Sequence, residues 1–87
     1  MAVLVRMSAA GMETSNYDEA SQGLTELVKK QPGFVMHVAY KTPDGMYVGE
    51  VWESRQQYEK FFDENVKPNV PFEIKQEVIE LHNVIQP

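Results

Sequence analysis

Residues 48–62 read VGEVWESRQQYEKFF, a stretch in which a strand-like pattern gives way to a helical one. β-Branched and aromatic residues run up to Trp52, which is typical of a strand. Ser54, followed three residues later by Gln57, forms a capping box and predicts that a helix begins directly afterwards. The chain's only tryptophan therefore lies at a strand-to-helix junction, either as a packing anchor or as the wall of a pocket.

The predicted helix after this junction has one strongly apolar face. Its large apolar residues recur at spacings that fall on one side of a helix, and they are Tyr58, Phe61, Phe62 and Val66. Pro68 and Pro71 follow and are expected to end the helix. One helix is therefore predicted to pack on the strand that precedes it.

A β-hairpin is predicted on the other side of the junction. Strand-like residues run from 34 to 42 and from 46 to 53, and Pro43, Asp44 and Gly45 interrupt them. Turn chemistry favours a three-residue loop with Thr42 opposite Met46. Even-numbered residues of both strands would then share one face, namely Phe34, Met36, Val38, Tyr40, Met46, Val48, Glu50 and Trp52.

A second register of the hairpin stays open at this stage. If the loop is one residue longer, His37 pairs with Glu50 and joins the face that carries Trp52. The register therefore decides whether these two titratable side chains can act together.

The rest of the chain supplies two strands and a helix. Val3, Val5 and Met7 alternate in a first strand, and a helix capped by Asn16 runs to Pro32-Gly33. The last stretch, residues 72–85, has strand-like residues whose apolar phase changes, which predicts a bulge or burial on both faces.

The order βαββαβ predicts an α+β, ferredoxin-like fold with a four-stranded antiparallel sheet, in one domain over residues 1–87. Helices would cover one face of this sheet. Apolar residues of both parities in the hairpin predict that a second copy covers the other face, in a homodimer.

Composition restricts the classes of function. The chain has no cysteine, which excludes thiolate chemistry and cysteine-based zinc sites. A net charge of −5 argues against nucleic acid as a partner. The apolar run before Arg6 is too short for a signal or membrane segment, so we expect no membrane association and a cytoplasmic location.

The run from Gln31 to Pro68, QPGFVMHVAYKTPDGMYVGEVWESRQQYEKFFDENVKP, resembles the antibiotic-biosynthesis monooxygenase family of dimeric α+β barrels. The residues that carry the resemblance are Pro32-Gly33-Phe34, the hairpin, Val51-Trp52-Glu53-Ser54 and the aromatic helix. The family includes cofactor-free oxygenases of polycyclic phenols, quinol oxygenases and haem-degrading enzymes. The resemblance implies a cavity between the sheet that carries the helices and the partner's sheet.

The family's site residues carry over unevenly. In the polycyclic-phenol oxygenases a Trp, a Tyr six residues later and an Asn four residues earlier line the cavity; here these positions hold Trp52, Tyr58 and Val48. The haem-degrading members need a histidine at or just after the second helix, where this chain has Phe61, Phe62 and Asn65, so haem is not expected. The resemblance therefore implies no cofactor.

Two residues are the candidates for catalysis. A cofactor-free oxygenation needs an apolar pocket and a base, and His37 and Glu50 are the titratable residues in the middle of the hairpin strands. The ordinary alternative for Glu50 is a structural ion pair with Arg6 or Lys41. Predicted pocket residues are Trp52, Tyr58, Tyr40, Val48 and Met36. With His82 as the only other histidine, no metal site is predicted.

Two functions follow from these observations. The first is a cofactor-independent monooxygenase acting on a small hydrophobic aromatic or quinol-like compound. The second is a dimeric barrel that binds a small hydrophobic molecule without turning it over, which Val48 in place of Asn favours.

Overall fold

The structure, a computed structural model, describes residues 1–70 and 73–87. Its strands are β1 (Val3–Ser8), β2 (Phe34–Thr42), β3 (Gly45–Trp52) and β4 (Lys75–Glu80). They form one antiparallel sheet in the order β2-β3-β1-β4. The predicted ferredoxin-like fold is confirmed, with the helical connections following β1 and β3.

The first helical connection is shorter and more broken than predicted. Helix α1 (Thr14–Ser21) begins two residues before Asn16, whose side-chain oxygen accepts the Glu13 N–H at 3.0 Å. Asn16 thus stabilises the first turn from within the helix rather than capping it. Gly23, at φ 81°, then separates α1 from α2 (Leu24–Lys29), because this left-handed conformation cannot continue a helix.

The second helical connection follows the sequence closely. Helix α3 (Arg55–Phe61) starts at Ser54, whose hydroxyl oxygen accepts the Gln57 N–H at 3.2 Å, so the predicted cap is confirmed. A π-helical segment, Phe62–Val66, continues the helix. Tyr58, Phe61 and Phe62 are buried as predicted.

The register of the hairpin corrects the one favoured by turn chemistry. Thr42 lies opposite Gly45 rather than Met46, and His37 lies opposite Glu50. The loop contains Pro43 and Asp44 alone, because the Thr42 hydroxyl oxygen accepts the Asp44 N–H at 3.1 Å and the hydroxyl donates to the Gly45 carbonyl at 3.1 Å. The open alternative, in which His37 pairs with Glu50, is therefore the observed one, although its loop is shorter than expected.

Strand β4 is shorter than the predicted strand over residues 72–85, of which Phe72 lies outside the described residues. From Lys75 to Glu80 it pairs with β1 in an unbroken register, so the predicted bulge is wrong for this range. Val78 packs against the core, whereas Ile79 is exposed on the other face. The change of apolar phase therefore reflects a sheet with apolar residues on both faces.

The hydrophobic core lies between the helices and one face of the sheet. Its buried members are Val3, Val5, Val28, Trp52, Tyr58, Phe61 and Phe62. The opposite face, which we call the outer face, carries apolar residues that are exposed: Val38, Tyr40 and Ile79. Among the described residues, no helix has the length and apolar character needed to cross a membrane.

Candidate functional site

A cavity of about 470 Å³ lies between the helices and the inner face of the sheet. Most of its walls are apolar, with contributions from Met7, Met46, Val48, Phe61, Phe62 and Ile74. A cavity of this size and character suits a small hydrophobic ligand. It lies within one chain, whereas the family resemblance implied a cavity completed by the partner's sheet.

Four side chains form a continuous hydrogen-bonded chain at this cavity. The Trp52 indole N–H donates to Glu50 Oε1 at 2.9 Å, and Glu50 Oε2 lies 2.6 Å from His37 Nδ1. The other imidazole nitrogen, Nε2, lies 2.6 Å from the Tyr17 hydroxyl oxygen. Tyr17, His37 and Glu50 all line the cavity. This series of hydrogen bonds therefore runs from the buried indole of Trp52 to the cavity surface.

The direction of these hydrogen bonds follows from the donors available. An indole nitrogen can only donate, so Glu50 accepts at Oε1. An ionised Glu50 also accepts from His37 Nδ1–H, which leaves Nε2 as the acceptor for the Tyr17 hydroxyl. Burial, followed by the negative charges of Glu50 and Asp18, raises the pKa of Tyr17, so its phenol keeps the proton that it donates.

The buried end of this hydrogen-bonded series, formed by Trp52 and Glu50, fixes its geometry. Glu50 is 5% exposed and Trp52 is 0% exposed, whereas the His37 side chain is 29% exposed. A carboxylate that is buried and doubly hydrogen-bonded holds the imidazole in one tautomer and one orientation. This is the arrangement by which a carboxylate prepares a histidine to accept a proton at Nε2.

Local sequence explains why these residues meet. Glu50 and Trp52 are two residues apart in β3, so they point to the same face of the sheet. A shift of register between Phe34 and Met36 lets both Phe34 and His37 face the helices. Helix α1 then brings the Tyr17 hydroxyl to the imidazole, with the ring centres 6.1 Å apart and the ring planes inclined by 20°.

The expected ion pair of Glu50 with Arg6 or Lys41 is wrong. Glu50 is bound by His37 and Trp52, and Arg6 lies 3.6 Å from Glu77 on the exposed side of the sheet. The register explains the difference, because Arg6 occupies the outer face.

The predicted pocket residues are placed in different surroundings. Tyr58, Val48 and Met36 line the cavity together with His37 and Glu50. Trp52 lies behind the cavity wall, in aromatic contact with Phe34, Tyr58 and Phe61. Tyr40 lies on the outer face, stacked on Tyr47 at 5.7 Å. Trp52 thus acts as an anchor and hydrogen-bond donor.

Tyr58 is held by a partner that was not foreseen. Its hydroxyl donates to the side-chain oxygen of Gln76 in β4. Burial is the main cause of a strongly raised pKa of Tyr58, with Glu50, Glu59 and Asp63 adding to it. Tyr58 is therefore a neutral wall residue whose hydroxyl already has a partner.

Tyr17 is the site residue that the sequence analysis missed. Its spacing from Ala20 and Leu24 places it on one apolar stripe of the first predicted helix, and all three residues line the cavity. The one feature that distinguishes it is its polar end, since it is the only tyrosine in that stripe. Its hydrogen bond depends on the hairpin register, which the sequence left open.

Comparisons with known proteins agree with this description at the level of fold. No protein-family description matches the sequence, and no curated protein is detectably similar to it. The structure is similar to SnoaB, a cofactor-independent oxygenase from Streptomyces nogalater, with a TM-score of 0.65, 13% identity and coverage of 99% of this chain and 97% of that one. The chain has the fold of that oxygenase.

Two further structures have the same fold. The monooxygenase ActVA-Orf6 of Streptomyces coelicolor, solved with the ligand Nanaomycin D, gives a TM-score of 0.65 at 20% identity and covers 99% of this chain and 91% of that one. A protein of unknown function from Nitrosomonas europaea gives 0.63 at 17% identity, with coverage of 99% and 92%. The resemblance found in residues 31–68 is thus confirmed as a resemblance of fold.

Proposed function

We propose that this protein is a cofactor-independent monooxygenase that acts on a small hydrophobic aromatic or quinol-like compound held in the cavity. The observation that carries the proposal is the His37–Glu50 pair, which is joined at 2.6 Å and opens into an apolar cavity of about 470 Å³. The two structural neighbours described as oxygenases support it.

The chemistry needs a base and a dry pocket. A base removes a proton from an acidic O–H or C–H group, and the electron-rich anion reacts with O₂ to give a peroxide. For an anthrone-type substrate the balance is R₂CH₂ + O₂ → R₂C=O + H₂O, in which the CH₂ carbon is oxidised and O₂ is reduced. The peroxide collapses as its O–O bond breaks, and one oxygen atom leaves as water.

The residues of the site have separate roles in this proposal. His37 takes up the proton at Nε2, and Glu50 stabilises the imidazolium that forms. Trp52 positions Glu50 through the 2.9 Å hydrogen bond and does not contact the ligand. Met36, Val48 and Tyr58 form walls that orient a flat substrate.

A non-catalytic binding function is the second candidate. Val48 lines the cavity at the position where the polycyclic-phenol oxygenases have Asn. Its side chain cannot form a hydrogen bond with substrate or oxygen. A protein that binds a hydrophobic molecule without oxidising it would need only the apolar walls. The presence or absence of turnover separates the two functions.

A homodimer also belongs to this proposal. The outer face exposes Val38 and Tyr40 on the edge strand β2, and a second copy is the simplest cover for such a patch. The cavity lies on the helical side of the sheet, so a dimer formed through the outer face would stabilise the sheet without occupying the site.

The test is oxygen uptake by the purified protein with a panel of anthrone-type and quinol substrates. We expect turnover above the buffer rate, and a loss of about 10²-fold or more in the variant His37→Gln, which keeps a polar side chain but removes the base. The matched control is His82→Gln, which alters the exposed second histidine. Ligand binding without turnover across the panel would favour the non-catalytic candidate.

A further inference from the structure

We infer that Tyr17 is a further catalytic residue: its hydroxyl oxygen meets the ionisable hydroxyl of the ligand and relays that proton to His37. This inference rests on the proposed function, because it concerns the first proton transfer in the same cavity. It also assigns the substrate class more narrowly, to flat compounds that present a phenolic or enolic O–H towards α1.

The imidazole has no free nitrogen for a ligand. Nδ1 is bound to Glu50 at 2.6 Å, and Nε2 is bound to the Tyr17 hydroxyl at 2.6 Å. The tyrosine ring also lies nearly parallel to the imidazole, inclined by 20°. A ligand in the cavity therefore meets Tyr17 before it can meet His37 Nε2.

The Tyr17 oxygen still has acceptor capacity. A phenol has one proton and two lone pairs, and its proton is committed to His37 Nε2. Tyr17 lines the cavity, so a lone pair can accept a hydrogen bond from a ligand hydroxyl. Burial and the charges of Glu50 and Asp18 keep the phenol protonated, which is the state that a relay requires.

The relay moves two protons and no electrons. The ligand O–H bond breaks and its proton forms a new bond to the Tyr17 oxygen, while the Tyr17 proton passes to His37 Nε2. The ligand becomes an anion, His37 becomes an imidazolium beside Glu50, and Tyr17 is unchanged. Running the same steps in reverse returns a proton to the peroxide oxygen formed later.

Binding provides a test that needs no turnover. The probes are 2-naphthol and 2-methoxynaphthalene, which have similar flat rings but differ in the donor O–H. We expect the wild-type protein to bind 2-naphthol roughly tenfold more tightly than the ether, as one added hydrogen bond allows. Tyr17→Phe removes the acceptor that the ligand hydroxyl meets, and the freed His37 Nε2 lies 2.6 Å from that position, so this preference should fall towards one.

The matched control is Tyr47→Phe, which removes a hydroxyl on the outer face, away from the cavity. It should keep the tenfold preference, and thermal melting should show that both variants are folded. Unchanged preference in Tyr17→Phe, or wild-type protein that binds the two probes equally or not at all, would overturn the inference.

Turnover distinguishes this inference from the proposed function. With an active substrate, Tyr17→Phe should lower kcat at least tenfold and raise KM by up to about tenfold, because the hydrogen bond to the substrate hydroxyl is lost. The dependence of kcat on the D₂O fraction should change from curved to linear as one of two moving protons is lost. Wild-type turnover with an unaffected Tyr17→Phe rate refutes the relay alone. Absence of wild-type turnover, with a preference that depends on Tyr17, refutes the oxygenase alone.

Discussion

At the scale of single residues, Glu50 connects the core to the candidate site. It accepts from Trp52 Nε1 on one oxygen and lies 2.6 Å from His37 Nδ1 on the other. Glu50→Gln supplies one oxygen and one NH₂ group, so one of the two N–H donors loses its acceptor. We expect the free energy of unfolding to fall by about 1–3 kcal/mol and oxygen uptake to fall by about 10²-fold.

Urea unfolding and an oxygen electrode measure these two effects. Glu53→Gln is the control, because Glu53 follows β3 and is exposed, so the same change of charge is made away from the site. Equal free energies of unfolding and equal rates of oxygen uptake in the two variants would contradict the role of Glu50 in holding His37 and Trp52.

Residue types alone could identify some of this site. His37 and Glu50 were predicted because they are titratable residues in the middle of strands. Trp52 was predicted because it lies where a predicted strand gives way to a predicted helix. Their hydrogen bonds could not be predicted, since a shift of one residue in the register moves His37 to the other face. Tyr17 was missed because its partner is 20 residues away and depends on that same register.

At the scale of elements, Gly33 fixes the approach of α2 to β2 and α3. It has φ 88°, and a Cβ there would lie 2.1 Å from the Gln57 side-chain oxygen. Gly33→Ala should lower the free energy of unfolding by about 1–2 kcal/mol for the left-handed backbone, and by about another 1 kcal/mol because Gln57 must leave Ser54.

The control for this prediction is Gly23→Ala, which has a similar φ of 81° but has open space around an added Cβ among the described residues. It should show the backbone cost alone in urea unfolding. Adding Gln57→Ala to both proteins should remove the difference between them. Equal costs for the two single variants would contradict the proposed contact.

Tyr58 links α3 to β4 and makes the free energy of unfolding depend on pH in the alkaline range. Its pKa is raised in the folded protein, mainly by burial, so the unfolded chain loses the phenol proton first. Above about pH 10 the free energy of unfolding should therefore fall, with a slope approaching 1.4 kcal/mol per pH unit for this group. Below that pH the contribution is fully present.

Tyr58→Phe removes this dependence together with the hydrogen bond to Gln76. At neutral pH the variant should be less stable by about 1 kcal/mol. The gap to the wild-type protein should narrow as the pH rises above about 10 in urea unfolding measured by fluorescence. A gap that stays constant up to about pH 11.5 would show that Tyr58 ionises equally in both states.

Element types were predictable and their ends were not. Capping by Ser54, the alternation in β1 and the aromatic face of α3 are encoded by adjacent residues, and these predictions are confirmed. The hairpin register failed because the Thr42 side chain makes two hydrogen bonds that a count of turn residues ignores. The break at Gly23 was not predicted, because an isolated glycine is tolerated within a helical pattern.

At the scale of the whole molecule, the outer face predicts association. Val38 is 48% exposed on this face, in the edge strand β2, so Val38→Glu should place a charge in the interface of the expected homodimer. We expect the wild-type protein to sediment as a dimer and this variant as a monomer. Gln56→Glu, an exposed change of the same charge on α3, should remain dimeric. A wild-type monomer at micromolar concentration would contradict the prediction.

The most direct test of the oxygenase function is the fate of labelled oxygen. Wild-type protein is incubated with an anthrone-type substrate under ¹⁸O₂, and product and water are analysed by mass spectrometry. A second sample uses Val48→Phe, which fills the apolar cavity beside His37 and Glu50. We predict one ¹⁸O atom in each product molecule and one in water, with formation abolished in Val48→Phe. Product without ¹⁸O, or formed equally by the filled variant, would contradict oxygenation in this cavity.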